Sequence, residues 1–304
     1  MGVFSKSTDD GDFAVTRNLY IAGNRFAGHG IVGNVHQHST YTQSIGTVIE
    51  FNRYEPLRPG ALGNGVKDRS AGTVVRHNRI EEGSHAIDLV EAEDFPLTAM
   101  ATPAYRNTFV YGNQIIKTGD TGSVITYGGD HFGSQAGATW GEPIFRKGTL
   151  HFFHNTLMLK GTAAWVFRIA TTEEKVEAWN NVIHFAPSIR DKNMRMDREV
   201  AAPWIGGGIV NLGRNWISSG WQDSDSWHKV RGQLNLVEPQ LGDTTQPFDA
   251  ASFRPVAGSA LIDAGKRSTA SPVSLVLSHQ IDALGLPQLR RMSGLGHDLG
   301  AVER

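Results

Sequence analysis

The chain has 304 residues, with 29 Lys plus Arg against 30 Asp plus Glu, 35 glycines and no cysteine. A net charge of −1 gives no electrostatic reason to expect nucleic acid or an anionic membrane as a partner. The absence of cysteine excludes disulfides and thiolate metal sites, and no apolar run approaches the length of a membrane span.

Residues 1–17 are polar, and the start, Met1 to Lys6, lacks the apolar core of a signal peptide. From residue 18 one unit recurs: two or three alternating apolar residues, a small or polar residue, an Asn, any residue, then a large apolar one. Tyr20-Ile21-Ala22-Gly23-Asn24-Arg25-Phe26 opens the series and Val48-Ile49-Glu50-Phe51-Asn52-Arg53-Tyr54 follows. The Asn positions are 24, 52, 78, 113, 155, 181 and 215, with gaps of 28, 26, 35, 42, 26 and 34. The short gaps suit one solenoid turn of three short strands, and the long gaps suit the same turn with a loop added. A strand of three to five residues cannot bury its apolar face alone, but stacked turns can. Asn tolerates the left-handed region and suits a bend, and on successive turns its amide can form a ladder. The fold class expected is therefore all-β: a right-handed parallel β-helix over residues 18–240, with a tail, 241–304, packing on it. Such a helix normally covers its first turn, because a bare sheet edge invites pairing. Residues 1–17 look like an incomplete cap, so a stacking partner, or an N-terminal segment outside this chain, is expected.

Three stretches read as insertions: 95–106, 128–148 and the charged 187–203, the last with Arg190, Asp191, Lys192, Arg195, Asp197, Arg198 and Glu199. In solenoids such loops tend to gather on one side and wall a groove.

Aligning the stretch after each Asn turn sets Val35-His36-Gln37-His38 beside Val66-Lys67-Asp68-Arg69, Ile87-Asp88-Leu89-Val90-Glu91, Val124-Ile125-Thr126-Tyr127 and Trp165-Val166-Phe167-Arg168. Matched residues on neighbouring turns stack at about 4.8 Å. Alternation then places His36, Lys67 and Asp88 in one outward column and His38 and Arg69 in a second. Asp68 and Gln37 point inward, where a buried Asp requires a partner. A second, acidic cluster, Asp88, Glu91, Glu93 and Asp94 with Asp130 and His131 one turn on, has the oxygen-rich character of a Ca²⁺ site.

The tail segments 258–265 (Gly-Ser-Ala-Leu-Ile-Asp-Ala-Gly) and 298–303 (Asp-Leu-Gly-Ala-Val-Glu), with the Asn repeats, resemble a broad set of bacterial secreted right-handed β-helix proteins. In these a segment like Ser-Pro-Ala-Ile-Asp-Ala-Gly precedes a closing Asp-Ile-Gly-Ala-Phe-Glu. Many are polysaccharide lyases or otherwise glycan-active. The resemblance covers roughly residues 18–304; it implies a secreted or periplasmic location and a polysaccharide partner. A narrower similarity is to lyases of the alginate and chondroitin B type, which carry a Lys one turn before an Arg-bearing strand. Lys67 matches the Lys, but the next turn, Ala86-Ile87-Asp88-Leu89-Val90-Glu91, has no Arg.

Elimination at a uronic acid needs a group that neutralises the substrate carboxylate, a base for the C5 proton and an acid for the leaving oxygen. The expected machinery is Lys67 as base, its pKa lowered by Arg69 and burial, His36 or His38 as acid or base, and Arg69 on the carboxylate. Arg76, Tyr127, Arg168 and Trp140 are candidates for holding the sugar. Asp88, Glu91, Glu93, Asp94 and Asp130 are the candidate Ca²⁺ ligands. Two alternatives remain open: a hydrolase using paired carboxylates such as Asp88 and Glu91, and a non-catalytic glycan-binding or surface protein.

Overall fold

The computed structural model describes residues 1–118, 120–133, 140–197, 200, 202–228, 230–267 and 277–304, and they wind as a parallel β-helix with three sheets. The first sheet stacks Val3–Phe4, Thr40–Thr42, Val66–Asp68, Ile87–Leu89, Ile125–Tyr127, Ala163–Ile169 and Asp191–Met196. The second runs from Arg17–Ala22 through Ile45–Glu50, Val74–Arg76, Asn107–Tyr111, Thr149–Phe153, Lys175–Trp179 and Ile209–Leu212 to Gln233–Leu236. The third lies between them in each turn, from Arg25–Phe26 to Trp216–Ile217.

Period-two alternation turns one column of each sheet inward. Ile49, Val75, Val110 and Phe152 stack on the second sheet, and Tyr54, Ile80, Ile115, Leu157 and Ile183 on the third. All belong to one buried core with Val66, Ile87, Ile125 and Phe167 of the first sheet. Outside it, Phe248, Phe253, Leu261, Leu299 and Val302 of the tail pack on Ile116, Met158, Val182 and Trp216 of the third sheet.

The recurrent Asn residues form a continuous amide ladder. Asn52, Asn78, Asn113, Asn155, Asn181 and Asn215 each accept at Oδ1 from both the backbone N–H and the Nδ2 of the Asn one turn before, at 2.9–3.1 Å. The Asn215 Nδ2 continues the series to Gln240. The left-handed residue of the bend is the one before the Asn: Phe51, His77, His154 and Asn180 have φ between 49° and 57°, and Gly23 and Gly112 take the same role. The Asn is there for its amide, which meets the backbone groups that the bend leaves unpaired.

Two sequence expectations change. Within 187–203, Asp191–Met196 is a strand of the first sheet, with Met194 in the core and Arg195 buried against Asp223 at 2.6 Å. Its charges hid the alternation; Arg198 and Glu199 lie outside the described residues. The first-sheet strand of the earliest full turn is Thr40–Thr42, so Val35 to His38 belong to the loop before it.

Asn113 is fully buried and donates to Val75 O, Tyr111 O and Asn155 Oδ1. Asn113→Ala is expected to cost about 3 kcal/mol or more, because it orphans several buried groups at once. Asn24→Ala, at the exposed end of the ladder, is expected to cost about 1 kcal/mol. Urea midpoints of the two variants measure the difference.

Candidate functional site

The first sheet carries a cleft of about 450 Å³, lined by His36, His38, Tyr41, Asn64, Lys67, Arg69, His85, Asp88, Glu93, Asp130, His131 and Arg168, with Val35 and Leu62 at its edge. The strand register builds its floor. Tyr41, Lys67, Asp88, Thr126 and Arg168 are paired residues on five successive strands and form the outward column. Lys67 and Asp88 therefore stand together as expected, at 2.8 Å, but their neighbour on the preceding turn is Tyr41. His36 and His38 reach the cleft from the loop. The repeat could have shown this, since Tyr41 precedes Lys67 by the same 26 residues that separate Thr42 from Asp68 and Asn52 from Asn78.

Asp68 points inward, and its required partner comes from far away. Arg146, fully buried, donates to Asp68 Oδ2 at 3.0 Å, to Val90 O and Ser70 O at 2.9 Å each, and to Asp68 O. Thr42 and Thr73 hydroxyls complete the Asp68 carboxylate. A buried pair satisfied on every side holds the strand from behind without leaving an orphan charge.

On the outer face the charges also close on one another. Lys67 bridges Asp88 and Asp130. Arg69 is 2 % exposed, and each of its three nitrogens donates: Nε–H to the Tyr41 hydroxyl at 2.9 Å, Nη1 to Glu91 O at 2.8 Å, Nη2 to Asp130 at 2.9 Å. The Tyr41 hydroxyl in turn donates a hydrogen bond to Glu93 at 2.8 Å. Arg69 is thus buried among its own partners, and it positions Tyr41 and Asp130. Burial alone would lower the Lys67 pKa, but the Asp88 and Asp130 carboxylates outweigh it and hold the ammonium above the ordinary lysine range. This reverses the expectation of a lowered Lys67. Asp130 is half-buried, yet Lys67 and Arg69 hold it well below the usual carboxylate range; Asp88 is likewise lowered, chiefly by Lys67 against its own burial.

The histidines divide by environment. Burial, then the nearby Lys67, push His38 down to about 4, and burial pushes His85 to about 4. Each accepts a backbone N–H at Nδ1, from Asn64 and Ser123 respectively, at 3.0 Å, which leaves Nε2–H as a donor. His131 is the opposite case. Burial opposes its charge, but the bond to Glu91 at 2.7 Å and the Asp130 charge raise its pKa. Glu91 also accepts the backbone N–H groups of Asp130 and His131, which fixes that loop on the sheet. Trp140 packs on the His131 ring at 4.1 Å and so supports the wall of the cleft.

The remaining candidates lie elsewhere. Arg76 is on the second sheet, paired with Glu50 at 2.5 Å and Tyr111 at 2.8 Å. Tyr127 sits in the inward column and is fully buried in the core. Asp94 accepts from Gln43 at 2.7 Å and pairs with Lys6.

No family model, no curated protein and no solved structure matches the chain.

The five acidic residues do not converge on one cation. Among the described residues, the group whose ligand atoms lie within 4.8 Å of one another is Glu91, Asp130 and His131. Arg69 already sits against both of its carboxylates, at 3.2 and 2.9 Å. Two carboxylates matched by a guanidinium, with an imidazole, do not suit Ca²⁺, which takes about six to eight oxygen ligands.

Because His38 and His85 titrate near 4 in the fold against 6.5 unfolded, their stability contribution is present above 6.5 and lost as pH falls toward 4. Each contributes a slope of up to about 1.4 kcal/mol per pH unit across that window. His85→Asn, which keeps an acceptor for Ser123 N–H, is expected to flatten the acid limb of a thermal unfolding profile by that amount. An unchanged limb would show that His85 does not stay neutral in the fold.

Proposed function

We propose that the cleft binds a uronic-acid-bearing polysaccharide and cleaves it by β-elimination. The observation that carries this reading is the ion pairing of the site's carboxylates, Asp88 with Lys67 and Asp130 with Lys67 and Arg69. A glycoside hydrolase needs one carboxyl group kept protonated as its acid, whereas Lys67 and Arg69 keep Asp88 and Asp130 ionised. What the cleft offers is fixed positive charge and N–H donors, the groups that stabilise a carbanion spread onto a carboxylate.

In this scheme the Lys67 ammonium and Arg168 face the substrate carboxylate and the negative charge that grows on it. The Nε2–H groups of His38 and His85 add donors. His36, which lines the cleft and is exposed, takes the proton from C5. The C4–O bond breaks as the C4–C5 double bond forms. His131, an imidazolium held through Nδ1 by Glu91, gives its Nε2 proton to the leaving oxygen. Among the described residues Asp88 Oδ1 meets no hydrogen-bond partner although the residue is 3 % exposed, so it stands as an acceptor for a sugar hydroxyl. Val35 and Leu62, both about half exposed, give the mouth an apolar edge.

The test is ultraviolet absorbance of the conjugated product on alginate, pectate, glucuronan and glycosaminoglycans. One polymer is expected to respond, with the same rate in chelator. Lys67→Ala and His36→Ala are each expected to lower that rate by about a hundredfold or more. His36 is exposed, so its variant separates chemistry from folding. Reducing ends released without absorbance would establish a hydrolase, and binding without product a non-catalytic glycan protein; either outcome overturns elimination.

A further inference from the structure

The outward column of the first sheet runs Phe4, Tyr41, Lys67, Asp88, Thr126 and Arg168, one residue per turn. It is not open along its whole length. A side chain in this column faces away from the core, yet Thr126 is 1 % exposed. The Ser123 hydroxyl meets its Oγ1 at 3.2 Å. One turn on, the Arg168 guanidinium lies over the Phe132 ring at 5.6 Å, and Phe132 stands edge-on to the buried Phe145. Phe132 belongs to the loop whose Asp130 reaches Lys67 and Arg69 and whose backbone is held by Glu91. That loop therefore makes contact from Lys67 to Arg168, and Thr126, between them, is covered.

The opposite end differs. Phe4 pairs with Tyr41 in the sheet, its ring stands edge-on to the Tyr41 ring at 5.4 Å, and it is 55 % exposed. The flanks are walled as well. His36 and His38 precede the strand Thr40–Thr42, and Asp130 and His131 follow the strand Ile125–Tyr127, so in a parallel sheet they stand on opposite sides of the column. The uncovered floor from Tyr41 to Asp88 is two strand spacings, about 10 Å. An exposed aromatic ring at the open end suits the apolar face of a sugar, whereas a polymer passing straight through would need a second opening where Thr126 is buried. We infer that the cleft is blind and takes the end of a glycan chain: the chain enters over Phe4 and Tyr41, and its last sugars lie on Lys67 and Asp88 against the closed Thr126 end. This rests on the cleft being a glycan site, and it deepens that reading by naming a chain end, in place of the chain interior, as the substrate.

The experiment is calorimetric binding of alginate, pectate and hyaluronan, each as hexasaccharides and as long chains, to the full chain as wild type, His36→Ala, Phe4→Ala, Phe13→Ala and Asp88→Asn. His36→Ala keeps the probe uncut. Because the two ends of a sugar chain are unlike, one protein per sugar chain is expected at saturation for both lengths, in the wild type and in His36→Ala. Phe4→Ala is expected to weaken binding by about five- to tenfold, the scale of one aromatic contact. Phe13 is more exposed than Phe4, and Phe13→Ala, the control for loss of a surface aromatic, is expected to bind as the wild type does. Asp88→Asn is expected to weaken both lengths. Several proteins per long chain, with binding still weakened by Asp88→Asn, would overturn the blind end and leave the cleft standing. Unchanged affinity in Phe4→Ala would overturn the entry over Phe4. No binding of any probe to the wild type would overturn the cleft reading, and the chain-end reading with it.

Discussion

The amide ladder at the bend between the second and third sheets is the constraint on which the rest of this structure depends. Each Asn accepts two bonds from the turn before it and donates to the turn after it, so its place is set from both sides. A slip of one residue in any turn would break these bonds inside the core. It would also exchange the two faces of every strand. On the first sheet that exchange would turn Lys67 and Asp88 into the core and Asp68 away from it. The chemistry of the outer face is thus fixed by a polar stack some distance from it.

Given that register, the cleft is a balanced set of charges. Lys67 and Arg69 come from one strand, Asp88 from the next, and Asp130 and His131 from a loop that Glu91 ties down. Desolvation makes an isolated charge at such a place costly, so each is matched by a neighbour. The matching sorts the groups by role. Arg69 is buried and acts on Tyr41 and Asp130. Lys67 keeps its proton and faces the cleft. Asp88 and Asp130 are paired with these cations, which is why elimination is proposed here in preference to hydrolysis.

The solenoid also shapes what can bind. A fold in which each turn contacts its neighbours offers long surfaces parallel to its axis. The outward column of the first sheet runs from Tyr41 to Arg168 without a break in register, and Trp165, bonded to Asp225, lies on the strand of Arg168. Asp225 serves this region much as Glu91 serves the cleft, since each pins a loop through backbone N–H groups and a histidine.

Repetition made the fold legible in the sequence. The Asn spacing, the alternation around it and the stacking of Lys67 on Asp88 follow from local patterns, because side-chain alternation and the bonding of an Asn to its own bend involve residues close in the chain. The inward Asp68 was legible as well, together with its need for a partner. Where charges interrupted the alternation, as in Asp191–Met196, the same reading failed, and Asp130 and His131 could be placed only within one turn. The sequence by itself determined the parallel β-helix and the core of the outward column. Tertiary structure alone decided that Arg146 meets Asp68, that Asp130 sits between Lys67 and Arg69, that Asn64 and His85 line the cleft, and that Arg76 and Tyr127 do not. These outcomes depend on where long insertions fold back onto the sheet, and that is set by burial and charge pairing between residues far apart in the chain, which no local period encodes.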